Sequence, residues 1–146
     1  MEKPNTCAGC SLYEAGEGFA LGEGPADAKL AIIGEALGQE EAAQGRPFVG
    51  GAGRILNALL AQAGIKRADV FIDNVLRCRP PGNKYPGGRV RVQAEQHCRR
   101  YDRIGLDIRP NVVVLAGDKA LKLYAKRSGI TKWRGSILEA RREEDP

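Results

Sequence analysis

Three short apolar runs set the frame for this chain. Lys29-Leu30-Ala31-Ile32-Ile33 lies between Pro25 and Gly34, and reads as a buried strand. Val70-Phe71-Ile72-Asp73-Asn74-Val75-Leu76 follows a turn at Arg67-Ala68-Asp69, and Val112-Val113-Val114-Leu115-Ala116 follows Pro110. Between the first two runs, Ile55, Leu56, Leu59, Leu60 and Ala63 recur at helical spacing, and Gly64 is a fitting stop. A basic segment from about Val90 to Ile108 is predicted to be helical, and Gly117-Asp118 opens a short helix with Leu121 and Tyr124 on one side. Trp133 to Ala140 is expected to form a final strand. Strand and helix alternate, which predicts a central, mostly parallel sheet with helices on both faces, an α/β/α sandwich. Right-handed crossovers then place the loop at Glu35, the loop after Asn74 and the turn at Gly117 on one rim. Ligands bind at that end of open α/β sheets.

The loop after the first run, Gly34 to Gly50, holds the densest set of functional residue types. Gly34 and Gly38 let the backbone turn sharply and come close to another group. Glu35 places a carboxylate in that turn. A second turn, Gly45-Arg46-Pro47, presents Phe48.

The 146 residues suffice for one domain, residues 1–146, with a real core. No apolar run approaches membrane length and no secretory leader precedes the first motif, so the reading is a soluble, cytoplasmic protein. The net charge of +5 suits an anionic partner. Arg141-Arg142-Glu143-Glu144-Asp145 reads as a solvated end.

The four cysteines form one set: Cys7-x-x-Cys10, then Cys78 and Cys98. A reducing compartment disfavours disulfides, so shared ligation of a metal is the better reading. Four thiolates suit tetrahedral zinc or a [4Fe-4S] cluster, and spacing does not choose between them. Unrelated buried thiols are the bland alternative. A metal would clip the glycine-rich, sparsely apolar first segment to the end of the second strand.

Taken in order, these pieces resemble one family. Cys7-x-x-Cys10, Gly34-Glu35-Ala36-Leu37-Gly38, Gly45-Arg46-Pro47-Phe48-Val49-Gly50 and Asp73-Asn74-Val75-Leu76-Arg77-Cys78-Arg79-Pro80-Pro81-Gly82-Asn83 are followed by Cys98 and Val113-Val114-Leu115-Ala116-Gly117. The chain is similar to the iron–sulfur (family 4) uracil-DNA glycosylases and to related domains found with phage-type DNA polymerases. The resemblance implies a [4Fe-4S] cluster on Cys7, Cys10, Cys78 and Cys98, and a uracil-DNA glycosylase-like fold. It makes Phe48 the ring that stacks on a flipped uracil and Asn74 the amide that reads its edge. Glu35 falls beside the glycosidic bond, on the bare backbone of Gly34. The implied partner is uracil-containing DNA, bound by a monomer.

The residue types fit that chemistry. A base inside a duplex must be swung into a pocket before it is attacked. An aromatic face replaces lost stacking at about 1–3 kcal/mol per base. A carboxamide offers a donor and an acceptor, matching uracil O4 and N3–H. Breaking the bond leaves positive charge on the sugar, which a carboxylate stabilises, or water attacks under its direction. Each residue also has a plainer reading: Glu35 as a cap on the helix that follows, Phe48 as core, Asn74 as a turn residue. Arg77, Arg79, Lys84, Arg89, Arg91, Arg99 and Arg100 are candidates to track phosphates, against a solvated basic face.

Four departures from the family pattern stand out. Leu37 replaces a proline, Ala42 replaces an acid, and Tyr85-Pro86-Gly87-Gly88-Arg89 looks like an insertion. The family's last strand ends in a His-Pro-Ser-like motif whose histidine donates to the uracil oxygen. That motif is absent here, and the only histidine, His97, adjoins Cys98 as a surface residue or cluster neighbour. The sheet is therefore expected to lack its last strand, in a protein either cut short or naturally short. Losing such a donor typically costs about two to three orders of magnitude in rate. Uracil excision is the first expectation, a catalytically weak or inactive iron–sulfur DNA-binding module the second, and a small zinc protein binding another nucleotide or sugar the third.

Overall fold

A computed structural model describes residues 2–139. Its sheet holds three parallel strands: β1 (Leu30–Gly34), β2 (Val70–Asn74) and β3 (Val112–Leu115), in the order β2-β1-β3. Leu30 lies opposite Val70 and Val112, and the β1–β2 register ends with Gly34 opposite Asn74. The second strand stops two residues short of the apolar run that announced it. Val75 and Leu76 instead donate their amides to Gly34 O and Glu35 O at 3.0 and 2.9 Å, which holds the two rim loops together.

Side chains alternate across a strand, so β1 serves two layers. Leu30 and Ile32 pack with Val70, Ile72 and with Leu56 and Leu60 of α2 (Gly51–Gln62), which follows the short α1 (Gln39–Gln44). Ala31 packs with Phe71 and Ile108, and Ile33 with Val75 and Ala120 of α4 (Asp118–Ala125). Helix α3 (Gly88–Cys98) buries Ala94 and Cys98 against Leu12, Leu76 and Cys78. The result is the expected α/β/α arrangement. On the α2 side of edge strand β3, Val112 and Val114 stay exposed, although their sequence run is wholly apolar.

Two expectations are corrected. The basic helix ends at Cys98, ten residues before Ile108. After a 3-10 turn at Arg99–Tyr101, the Asp102 carboxylate accepts from Ile104 N at 3.0 Å and from the Tyr124 hydroxyl at 2.6 Å. That ties the segment to α4 and lets Ile108 bury fully under the sheet. Nor does a strand follow Trp133 among the described residues. There the chain forms α5 (Ile130–Trp133), with Gly129 and Gly135 at φ 80° and 76° on either side. Trp133 lies under Arg127 and Lys132 at 5.4 and 5.6 Å, not in a core. Ala140 lies outside the described residues.

The first segment is irregular, as expected, but its tether is partly backbone. Glu17 pairs with Arg79 and Glu23 with Ile72 in antiparallel bridges, and Ala20 N donates to Arg77 O at 2.9 Å. Residues 17–23 thus line the outer edge of β2 and the loop that follows it, with Phe19 and Ala20 buried.

Candidate active site and thiol site

The β1–β2 register sets Gly34 beside Asn74, and the loop from α1 folds Phe48 back onto the same point. A Cβ on Gly34 would lie 2.5 Å from both Asn74 Oδ1 and Phe48 Cζ. The absent side chain is what lets ring and amide meet there. Glu35 is the next residue, half-buried at the rim, and its Oε1 accepts the Lys119 amide at 3.1 Å. Its carboxyl lies against Gly117, where a Cβ would sit 2.7 Å from Oε1. Glu35 therefore does cap a helix, but α4 and not the one that follows it. The expected meeting of the three rim loops is what the structure contains.

Asn74 is buried, yet among the described residues its carboxamide has no hydrogen-bond partner. Both donor and acceptor are free for a ligand. Its backbone is held from behind: Asn74 N donates to Asp73 Oδ1 at 2.8 Å, and Asp73 Oδ2 accepts Arg77 Nη2 at 2.5 Å. Burial pushes the Asp73 carboxyl up to about 6, against the pull of the Arg77 guanidinium.

Phe48 adopts φ 52°, a region non-glycine residues rarely visit. Holding such a backbone costs about 1–3 kcal/mol, so neighbours must over-determine it. Arg67 does so from one side, its Nη1 donating to Phe48 O at 2.9 Å and its Nη2 to Pro47 O at 2.8 Å. Glu41 does so from the other. Its Oε1 accepts Val49 N and Gly50 N at 3.1 and 2.8 Å, at the start of α2. Gly53 is required as well, since a Cβ there would lie 1.9 Å from Phe48 O. Replacing Glu41 by alanine strands two amides near the core, and is expected to cost about 2–3 kcal/mol. Urea unfolding measures it, and Glu41→Gln, which keeps an acceptor, should lose clearly less.

All four cysteines are free thiols, and they line one cavity with Arg77 and His97. Burial pushes the Cys78 thiol up to about 12, with the neighbouring Cys98, Cys10 and Cys7 adding to it. Burial raises Cys98 too, and Cys10 and Cys7 again contribute. Four thiols gathered on one cavity suit a shared cationic group. Leu12 N–H is 3.5 Å from Cys10 Sγ, and the Tyr101 hydroxyl is 3.5 Å from Cys7 Sγ. The donor set fits a thiolate-bound metal centre. His97 belongs here: it lines the cysteine cavity, and a Cβ on Gly9 would lie 3.3 Å from its Nε2.

Sequence reasoning missed Glu41, Arg67 and the Asp73–Arg77 pair. One signal was available for Asp73, a charge inside an otherwise apolar strand. Arg77 is removed from the phosphate candidates, because it is 2% exposed beneath the site. Arg79 and Arg91 are engaged with Glu17 and Glu95.

The parallel sheet brings a carboxylate, a ring and an amide to its carboxyl rim, and a model of the Uracil DNA glycosylase superfamily matches residues 21–142. The chain is 37% identical over 141 residues to the type-4 uracil-DNA glycosylase of Thermotoga maritima, an alignment covering 94% of this chain and 71% of that protein. It is 35% identical over 143 residues to the Archaeoglobus fulgidus type-4 enzyme, covering 94% and 70%. With the Pyrobaculum aerophilum type-4 protein, identity is 40% over 113 residues, 76% of this chain and 55% of that one. The chain belongs to the type-4 uracil-DNA glycosylase family of that superfamily.

Proposed function

We propose that this chain excises uracil from DNA by hydrolysing the N-glycosidic bond of a flipped-out nucleotide. The observation that carries the proposal is the convergence on Gly34, where the Phe48 ring and the Asn74 amide meet at the rim, next to Glu35. In this reading Phe48 stacks on the extruded base. The Asn74 Nδ2 donates to uracil O4 and its Oδ1 accepts N3–H. Cytosine presents a donor and an acceptor the other way round, so it is rejected. Glu35 has one oxygen fixed by Lys119 N–H, which leaves the other to face the sugar and its attacking water. Its negative charge favours the cationic sugar of the transition state.

We assign the thiol site to a [4Fe-4S] cluster ahead of zinc. The four cysteines line one cavity, as the four thiolate ligands of such a cluster would, and the family resemblance read from the sequence implies that cluster. When bound, the cluster supplies a structural clip, and the glycosidic chemistry belongs to the protein side chains. Free thiols accord with a reducing cytoplasm, and we take the chain to act there as a single-domain monomer.

The inactive-module reading is not favoured, since the relatives named above are all type-4 uracil-DNA glycosylases. The test uses iron-loaded protein and an oligonucleotide with one uracil. Alkali after incubation should break the strand at the uracil and leave the thymine control whole. A strand that survives with full iron occupancy refutes the proposal. A colourless protein carrying zinc refutes the cofactor assignment alone.

A further inference from the structure

We propose that Arg77 couples the thiol site to the base-reading amide, acting as a positioning residue for Asn74. This rests on the glycosylase and cluster readings above. Arg77 is among the largest fully buried side chains of the molecule. Its Nη1 donates to Cys98 O at 2.6 Å and its Nη2 to Asp73 Oδ2 at 2.5 Å. Asp73 Oδ1 then accepts Asn74 N at 2.8 Å. Three hydrogen bonds therefore join the backbone of a metal-ligand cysteine to that of Asn74, through residues only 1%, 2% and 4% exposed.

The third face of the guanidinium carries the inference toward the cluster. Arg77 lines the cavity of the four cysteines, and its buried Nε–H has no acceptor among the described residues. An unmet buried donor is costly, and cluster or thiolate sulfur accepts N–H. A buried ion pair is a poor source of stability in its own right. What this one fixes is geometry. The carboxylate that holds Asn74 N is aimed by a cation that is itself aimed by Cys98. A cluster that settles Cys98 and binds Nε–H locks the amide in place, and an empty site leaves it loose.

The experiment compares iron-loaded wild type with Arg77→Met, Arg77→Lys and Asp73→Asn, all in a Glu35→Gln background first checked to leave uracil DNA intact. Two quantities are read: cluster potential by voltammetry, and the ratio of affinities for uracil- and cytosine-containing oligonucleotides. Arg77→Met should shift the potential negative, through loss of a cation and an N–H donor, and lower the uracil preference about 10–100-fold. Asp73→Asn should lower the preference and leave the potential in place. Arg77→Lys should restore part of the preference, since its ammonium reaches Asp73, and only the part of the potential that charge alone supplies. Wild-type values of both quantities in Arg77→Met overturn the coupling. If that variant loses iron, Arg77→Lys and Asp73→Asn decide in its place: unchanged preference in both overturns the coupling. Failure of the glycosylase reading is seen separately, as intact uracil DNA with the unmodified protein, and the potential arm still decides whether Arg77 donates to the cluster.

Discussion

Replacing Cys78 by alanine is expected to abolish the visible absorption of the iron-loaded protein and to release its first segment from the sheet. Two features make the effect large. Few apolar side chains hold residues 2–23, chiefly Cys7, Leu12, Phe19 and Ala20. Cys78 also adjoins Arg77 and Arg79, whose carbonyls accept the Ala20 and Glu17 amides at 2.9 and 2.8 Å. Losing one ligand removes the clip and loosens the edge it fastens. Because ligation is folding free energy in small metal sites, the cost should reach several kcal/mol, about 5 or more. Hydrogen exchange separates this from global unfolding. The Glu17, Ala20 and Glu23 amides should lose protection, while Ile32 and Ile33 in β1 keep theirs. Equal protection in wild type and variant, with equal iron content, would show that the thiols bear no common group.

Which parts of this architecture could be read from residues follows from where the information sits. Ala31, Ile32, Ile33, Phe71 and Ile72 announce buried strands because burial on both faces demands unbroken apolarity. Parallel topology then forces Glu35, Asn74 and Gly117 to one rim, so their convergence was legible before any coordinate. The helix expected to reach Ile108 was not. The segment after its end is held by the Asp102–Tyr124 contact, 22 positions apart in sequence, which no local propensity records. The strand expected after Trp133 failed for a similar reason, since Gly135 at positive φ and stacked cations outweigh an apolar pattern there. Glu41 and Arg77 look like surface charges in the sequence. Only the fold puts Glu41 under two loop amides and Arg77 between Asp73 and Cys98. Supporting residues are hidden in this way because their partners are distant in the chain. The groups that would touch substrate were easier to find, since their chemistry is distinctive where they stand.

Changing Asn74 to aspartate is expected to lower kcat/KM for uracil by about a thousandfold, equivalent to about 4 kcal/mol. The carboxamide offers uracil one donor and one acceptor. A carboxylate offers two acceptors, so uracil O4 would face a negative charge in a site that is 4% exposed. The cytosine amino group, by contrast, would gain an acceptor. The ratio of cytosine to uracil excision should therefore rise, even as total activity falls. Asn74→Ala separates the two effects, since it removes both hydrogen bonds without adding charge. It should lose uracil activity and gain nothing toward cytosine. The backbone clamp should survive in Asn74→Ala, because Asp73 binds Asn74 through its amide N–H, so that variant's thermal stability should shift far less than its activity. Single-turnover cleavage of matched uracil and cytosine oligonucleotides measures all of this. An aspartate variant that retains wild-type uracil excision would mean that the amide at the end of β2 does not face the base.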